Sequence, residues 1–216
     1  MKVGSDSVLL GSWANIESSG LALDIGAGSG ILSLMLAQRF AHLKIEGVEL
    51  DAEAALQAQE NAKNSPWADR IKIEEGDIRK YKSDNKFDLI ISNPPFFATT
   101  SFIKDDARKK AREAQSLSHN DLLRFVYKNL SDGGHFNVVL PYSSIPNFIY
   151  DAWELGLHVQ RQTIVYPKIG KMPKRVLLDF SLERTDSVVY NELFLYDANG
   201  NKTDEYIELT KHFYLD

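Results

Sequence analysis

The chain has 216 residues, of which 44% are hydrophobic and 25% are charged, and its formal net charge is −5. This is the composition of a globular protein, long enough for one well-buried α/β domain that we expect to span residues 1–216. Cysteine is absent, which excludes disulfides, thiolate nucleophiles and thiolate metal sites. There is no apolar run of membrane-spanning length and no signal-peptide pattern at the start, so we expect a cytoplasmic protein without a membrane partner.

From residue 21 to residue 156, strand-like and helix-like segments alternate. The strands are predicted from apolar runs closed by turn residues, at Leu21–Ile25, Ile45–Leu50, Arg70–Glu75, Phe87–Ile91 and His135–Leu140. The helices are predicted from helical spacing of apolar residues, at Ile31–Phe40, Ala52–Lys63, Asp121–Leu130 and Ile145–Leu155. Strands separated by helices imply βαβ units and a parallel sheet.

The pattern changes after Gly156. Two strand-like segments, Leu157–Tyr166 and Arg175–Leu182, are joined by a loop without a helix, which predicts an antiparallel hairpin. A further strand at Leu193–Tyr196 and a last helix at Asp204–Phe213 complete the chain. We therefore expect a Rossmann-like α/β fold with a mostly parallel seven-stranded sheet, helices on both faces and an antiparallel C-terminal hairpin. This is the usual outline of class I methyltransferases.

A glycine-rich turn follows the first predicted strand. Its glycines, Gly26, Gly28 and Gly30, permit positive φ and a close approach of a ligand to the backbone. Their spacing differs from the GxGxxG of dinucleotide sites, which bind a pyrophosphate at a helix N-terminus. S-adenosylmethionine has no phosphate, and its sulfonium and ammonium cations favour a carboxylate such as Asp24, just before the turn. The turn therefore predicts an S-adenosylmethionine site.

Acidic residues also end the next two predicted strands. Glu49, followed by Leu50, stands about 20 residues beyond the glycines, where an acid can accept both ribose hydroxyls. Asp77 follows the third strand and could accept the adenine amine of the cofactor, with Ile78 packing on the ring. Ligands of open α/β sheets bind outside the carboxyl ends of the strands, so these residues predict one cofactor site at that edge.

The tetrapeptide Asn93-Pro94-Pro95-Phe96 directly follows the fourth predicted strand. The exocyclic amine of a base is a poor nucleophile because its lone pair is delocalised into the ring. The side-chain carbonyl of Asn93 and the backbone carbonyl of Pro94 can each accept an amine hydrogen and hold the nitrogen near a methyl donor. The two prolines fix φ and keep those carbonyls in place, and Phe96 offers a ring on which a base can stack. The motif predicts amine methylation without a metal or a strong general base.

The glycine turn together with Asn-Pro-Pro-Phe is similar to the amino methyltransferases that act on adenine N6, guanine N2 and glutamine N5. More narrowly, the sequence resembles the bacterial tRNA1(Val) (adenine(37)-N6)-methyltransferases over essentially its whole length, with matching segments at residues 1–14, 60–61, 65–71, 111–112, 139–141, 175–178 and 213–215. The resemblance implies methylation of adenine N6 in a tRNA anticodon loop. It also implies that Asp24, Gly26, Glu49 and Asp77 bind the cofactor, and that Lys2, Gly4 and Asp6 lie near its methionine end.

Some residues depart from that family. Ser5-Asp6-Ser7 stands where relatives usually carry Thr-Asp-Gly, and Phe96 stands where many have tyrosine, which loses a hydroxyl but keeps the stacking ring. Relatives also carry a further aromatic and basic segment upstream of Met1. We therefore expect a lid over the site to be missing from this sequence.

Two basic stretches predict contacts with RNA phosphates. The first follows the Asn-Pro-Pro-Phe motif and contains Lys104, Arg108, Lys109, Lys110 and Arg112. The second joins the two hairpin strands and contains Lys168, Lys171, Lys174 and Arg175. A target base must leave its stack to reach Asn93, which favours a loop nucleotide that is already unstacked. These stretches predict an RNA partner, which the resemblance implies to be tRNA, and we expect a monomeric protein.

Other functions stay open at this point. Guanine-N2 methylation of rRNA shares the Asn-Pro-Pro-Phe motif, whereas glutamine-N5 methylation of a protein is disfavoured by the basic stretches. A non-catalytic RNA-binding factor that retains the fold is disfavoured by intact cofactor and catalytic motifs. An NAD-dependent oxidoreductase is disfavoured by the glycine spacing.

Overall fold

The computed structural model describes residues 4–16, 20–95 and 117–213. Its β-strands are β1 (Leu21–Ile25), β2 (Lys44–Glu49), β3 (Ile71–Glu75), β4 (Phe87–Ser92), β5 (Leu130–Pro141), β6 (His158–Tyr166), β7 (Arg175–Ser181) and β8 (Val189–Phe194). Its α-helices are α1 (Ser5–Trp13), α2 (Ile31–Arg39), α3 (Ala52–Lys63), α4 (His119–Asn129), α5 (Ile145–Glu154) and α6 (Asp204–Thr210). A short 3-10 helix covers Tyr142–Ser144.

The strands form one sheet in the order β3-β2-β1-β4-β5-β7-β6-β8. Strands β1 to β5 pair in parallel, whereas β7 pairs antiparallel with both β5 and β6. The predicted Rossmann-like fold with its antiparallel hairpin is thereby confirmed. The predicted count of seven strands was wrong, because β8 adds to β6 in parallel as an eighth strand at the edge of the sheet.

Apolar side chains cover the two faces of the sheet separately. On one face, the buried residues of α1, α2, α3 and α6 pack together in a single cluster with strand residues such as Ala22 and Ile45. On the other face, α4 and α5 pack against residues such as Leu23 and Phe136. This two-sided cover explains why the central strands are apolar along their whole length, as expected for buried parallel strands. It leaves the carboxyl ends of β1 to β4 as an edge where a ligand can enter.

Helix α1 was not predicted from the sequence. Every residue from Val8 to Trp13 in it is buried, so its apolar residues do not follow the helical spacing by which a surface helix is recognised. The helix packs against α2 and α6. Its first turn starts after Gly4, so this helix brings the first described residues of the chain close to the sheet.

The start of β5 also differs from its prediction. The strand was predicted at His135–Leu140, but β5 begins at Leu130 and contains Asp132-Gly133-Gly134 as an irregularity. Gly133 has a φ of 73°, and a Cβ on Gly134 would lie 2.9 Å from the carbonyl oxygen of Phe87. The two glycines therefore allow the strand to bulge while its pairing with β4 resumes at His135.

Among the described helices, none has the length and apolar content needed to cross a membrane.

Candidate active site

A cavity of about 780 Å³ lies at the carboxyl ends of β1 to β4. Its volume is within the range of pockets that enclose a small organic ligand. The residues that line it come from the ends of all four strands and from the turns after them: Ile25, Gly26, Gly28, Val48, Glu49, Leu50, Asp51, Gly76, Asp77, Ile78, Arg79, Ser92, Asn93, Pro94, Pro95 and Leu117. Most of the predicted cofactor and catalytic residues among the described ones are therefore placed together.

The glycine-rich turn forms the floor of this cavity. Gly26, Gly28 and Gly30 all have positive φ, between 57° and 80°, which only glycine adopts without strain. A Cβ on Gly26 would meet no heavy atom within 4 Å, so its backbone is open on that side. Gly30 was predicted to bind the cofactor, but it does not line the cavity. It caps α2, and a Cβ there would lie 3.2 Å from the Cβ of Ala58 on α3.

Glu49 at the end of β2 holds this turn in place. Its Oε2 accepts a hydrogen bond from the backbone N–H of Gly28 at 2.8 Å, and its Oε1 accepts one from the N–H of Asp51 at 2.9 Å. Each carboxylate oxygen can accept more than one hydrogen bond, so capacity remains for ligand hydroxyls. Leu50, half-exposed beside it, adds apolar surface to the same wall.

Asp77, which follows the end of β3, also lines the cavity and is hydrogen-bonded by Arg79. The guanidinium of Arg79 donates to both carboxylate oxygens, from Nε at 2.9 and 3.1 Å and from Nη2 at 2.8 Å. This interaction holds the pKa of Asp77 below its ordinary value, so the residue is an anion at neutral pH. Ile78, which is buried, presents an apolar side chain to the same cavity, as packing against a flat ring would require.

Asp24 does not reach the cavity, contrary to the expectation that it contacts the cofactor cations. Its side chain is fully buried beneath the start of α2, where Oδ2 accepts from the backbone N–H of Ser33 at 3.1 Å and from its hydroxyl at 2.8 Å. Among the described residues, Oδ1 has no hydrogen-bond partner. Burial raises the pKa of Asp24 to about 7, although the bonds from Ser33 favour the charged form.

This burial predicts a pH dependence of stability. Because the pKa of Asp24 is higher in the folded protein than in the unfolded chain, folding takes up a proton between about pH 4 and pH 7 and stability falls as the pH rises through that range. The amide side chain of the variant Asp24→Asn does not titrate. We expect that variant to gain on the order of 3 kcal/mol relative to the wild type across the same range. Urea unfolding at several pH values measures this, with Asp69→Asn as an exposed control; a constant difference between wild type and Asp24→Asn would contradict it.

Asn93 stands directly beside the glycine turn. Ser92 pairs with Ile25 in the sheet, and its hydroxyl donates to the carbonyl of Ile25 at 2.9 Å, so the residues that follow, Asn93 and Gly26, leave neighbouring strands together. Neighbouring strands lie about 4.8 Å apart. The side-chain Nδ2 of Asn93 donates to the hydroxyl of Ser7 on α1 at 2.8 Å. Pro94 and Pro95 continue the same wall, whereas Phe96 lies outside the described residues.

The residues predicted near the methionine end of the cofactor lie in or before α1. Asp6 forms an ion pair with Arg175 at 2.8 Å and does not line the cavity, because its carboxylate points to the start of β7. Gly4 is the exposed cap of α1 and also lies apart from the lining. Lys2 is outside the described residues.

The two basic stretches differ in what the structure describes. Lys104, Arg108, Lys109, Lys110 and Arg112 lie outside the described residues. Lys168, Lys171 and Lys174 are on the loop between β6 and β7. Since β5 and β6 are both antiparallel to β7, this loop leaves the sheet at the same edge as the cavity. Lys171 and Lys174 are exposed there, whereas Arg175 is engaged with Asp6.

The residues of the site that were not foreseen from the sequence include Arg79, Asp51 and Ser7. Arg79 and Asp51 line the cavity, and Ser7 contacts Asn93. Asp51 also caps α3 by accepting from the N–H of Ala54 at 2.8 Å, which its position before a helix could have indicated. Arg79 follows Asp77 by two residues, and its backbone N–H donates to Oδ1 of Asp77 at 3.0 Å, a local turn that this spacing could have indicated. The contact of Ser7 with Asn93 spans 86 positions and has no such local signal.

The cavity fits an adenosyl cofactor that carries positive charge. A nucleoside with a cationic side chain requires space beside the backbone, acidic groups and an apolar surface. The cavity offers these at Gly26, at the carboxylates of Glu49 and Asp77, and at Ile78.

Within the described ranges, no three metal-ligating side chains are clustered. The expected monomeric state stays a prediction.

A parallel sheet with a GxGxG turn after β1, an acid at the end of β2 and another after β3 defines the class I methyltransferases. Comparison with known proteins agrees: the methyltransferase small domain matches residues 2–140. A tRNA1(Val) (adenine(37)-N6)-methyltransferase of Bacteroides fragilis is 42% identical over 218 aligned residues, covering 100% of this chain and 91% of its own length. The chain therefore belongs to the methyltransferase small domain family, in the group of the tRNA1(Val) (adenine(37)-N6)-methyltransferases.

Solved structures of low sequence identity share the fold. A predicted O-methyltransferase of Agrobacterium tumefaciens superposes with a TM-score of 0.70 at 19% identity, covering 95% of each chain. The glycopeptide N-methyltransferase MtfA, solved in complex with (S)-adenosyl-L-methionine, has a TM-score of 0.56 at 15% identity and covers 77% of this chain and 89% of its own. The different methyl acceptors in these names show that the fold alone does not define the substrate.

Proposed function

We propose that this chain methylates the exocyclic N6 amine of adenine 37 in tRNA1(Val), with S-adenosylmethionine as the methyl donor. The observation that carries the proposal is the position of Asn93, Pro94 and Pro95 in the wall of the cavity whose floor is the glycine turn. The names of relatives that align with the whole chain support the choice of adenine and of tRNA. A tRNA substrate would place the activity in the cytoplasm.

The cofactor would be held by residues at the ends of β1, β2 and β3. Glu49 has acceptor capacity for the ribose hydroxyls, and Asp77 and Ile78 are placed for the adenine ring. When bound, the cofactor supplies a methyl group made electrophilic by its sulfonium. Asp24 acts indirectly in this arrangement, because it fixes the start of α2 beneath the turn.

The residues after β4 would orient the amine. The Oδ1 of Asn93 and the carbonyl of Pro94 each accept one hydrogen of the target amine, which holds the nitrogen in place for attack. The proline rings restrict the backbone, so these acceptors need little reorganisation when the substrate arrives. The methylated amine is acidic and releases its extra proton to water, so no side-chain base is needed.

The proposal is tested with transcribed tRNA that lacks modifications. Incubation with radiolabelled S-adenosylmethionine should place label on tRNA1(Val), and nuclease digestion with chromatography should identify the product as N6-methyladenosine. A tRNA1(Val) transcript with guanine at position 37 is the matched control and should take up no label. Label on guanine, or on protein alone, would contradict the proposed substrate while leaving the methyltransferase class intact.

We propose that the loop between β6 and β7 binds the tRNA backbone. Changing Lys168, Lys171 and Lys174 together to alanine is expected to raise KM for tRNA and to make its salt dependence shallower by about 0.7 to 0.9 for each phosphate that is no longer neutralised. The turnover number at saturating tRNA should be unchanged, because none of these lysines lines the cavity. Steady-state kinetics over a range of salt concentrations measures both quantities.

The control for this prediction is a triple variant of Lys44, Lys63 and Lys72, which are exposed and lie in β2, α3 and β3. It removes the same charge from a region without a predicted RNA contact. If both triple variants change KM for tRNA equally, the effect comes from net charge and the proposed contact is wrong.

A further inference from the structure

The first turn of α1 contacts the catalytic motif through a hydrogen bond. The hydroxyl of Ser7 accepts a hydrogen bond from Nδ2 of Asn93 at 2.8 Å, across 86 positions of the sequence. Ser7 does not line the cavity, and it is partly buried between the helix and the end of β4. Ser7 therefore contacts Asn93 from outside the lining of the cavity.

The two ends of the Asn93 amide have the same shape and opposite hydrogen-bonding character. Only Oδ1 can accept a hydrogen from the target amine, whereas Nδ2 would place donor against donor. In the orientation that the structure shows, Nδ2 faces Ser7, and Oδ1 is the end of the amide directed away from that contact. We propose that Ser7 is a positioning residue whose hydrogen bond holds the side chain of Asn93 in place beside the cavity; this inference rests on the proposed amine methylation.

Ser7 suits this role because α1 is held firmly. Asp6, the preceding residue, is paired with Arg175 at the start of β7 at 2.8 Å. At the other end of the helix, Arg39 donates to the carbonyl of Gly11 at 2.7 Å, and the indole of Trp13 donates to Thr163 at 2.9 Å. A side chain on an element fixed at both ends can hold its partner in one orientation.

The inference predicts a specific kinetic pattern. Ser7→Ala should lower kcat by about 3- to 10-fold, as expected when one hydrogen bond that orients a reacting group is removed. KM for tRNA and the affinity for S-adenosylhomocysteine should be unchanged, because Ser7 does not line the cavity. Ser7→Thr, which keeps the hydroxyl, should restore turnover, and Ser5→Ala, which removes an exposed hydroxyl from the same turn, should behave as wild type. A loss of turnover that Ser7→Thr does not rescue, or an equal loss in Ser5→Ala, would overturn the inference.

A second measurement does not depend on activity. In nitrogen-15 spectra, the side-chain amide signals of Asn93, assigned by their disappearance in Asn93→Ala, should shift and exchange faster with water in Ser7→Ala than in wild type or Ser7→Thr. Unchanged signals would overturn the inference even if turnover falls. If wild-type protein does not methylate tRNA, the proposed function fails, and the spectra still decide whether Ser7 orients Asn93.

Discussion

Replacing Asn93 with alanine is expected to lower methylation of tRNA by about 100- to 1000-fold, because the amine loses an acceptor that is already in place before the reaction. Binding of S-adenosylhomocysteine should change little, since the carboxylates and the glycine turn at the ends of β1 to β3 are untouched. Single-turnover assays with saturating cofactor measure the first quantity, and calorimetry measures the second.

The matched control for Asn93 is Asn64→Ala, an exposed asparagine after α3 that does not line the cavity. It should retain full activity. Wild-type turnover in Asn93→Ala would show that the amide does not hold the substrate amine, and the proposed chemistry would have to be abandoned.

The second large effect is expected at Glu49. In Glu49→Gln, one oxygen becomes an NH2 group, which would face the backbone N–H of either Gly28 or Asp51 as donor against donor. The turn then loses a charge-assisted hydrogen bond and the ligand loses an acceptor. We expect the Kd for S-adenosylhomocysteine to rise by about 10- to 100-fold, which calorimetry measures directly.

Glu75→Gln provides the comparison for Glu49, because Glu75 ends the neighbouring strand β3 and does not line the cavity. Its Kd should equal that of the wild type. A similar loss of affinity in both variants would indicate a general effect of charge at this edge of the sheet and not a contact of Glu49 with the turn.

The strands and the glycine turn could be predicted because their signals are local. Buried strands such as Leu21–Ile25 are short apolar runs, and three glycines at alternate positions indicate a turn that needs positive φ. The acidic residues Glu49 and Asp77 also indicated where the cavity lies, because parallel strands bring their carboxyl ends to one edge of the sheet. These features depend on residues close together in the sequence.

The features that sequence reasoning missed depend on distant contacts. Asp24 was expected in the cavity, but side chains within a strand point to the faces of the sheet, and this one points beneath α2. The pairing of Asn93 with Ser7 spans 86 positions of the sequence and follows no spacing rule. Helix α1 was missed because almost complete burial removes the periodic pattern that identifies helices on the surface.

The order of the strands separates the cavity from the loop that we propose binds RNA, although both lie along one edge of the sheet. Strands β3, β2 and β1 lie on one side of β4, and β5, β7, β6 and β8 lie on the other. The hairpin of β6 and β7 shares no lining residue with the cavity, although Arg175 at its base is tied to α1. Exchange of residues 167–174 between relatives could therefore alter which RNA is chosen while leaving methyl-donor recognition intact. A preference for a different RNA substrate would then require changes in this one short segment, while the residues that line the cavity stay the same.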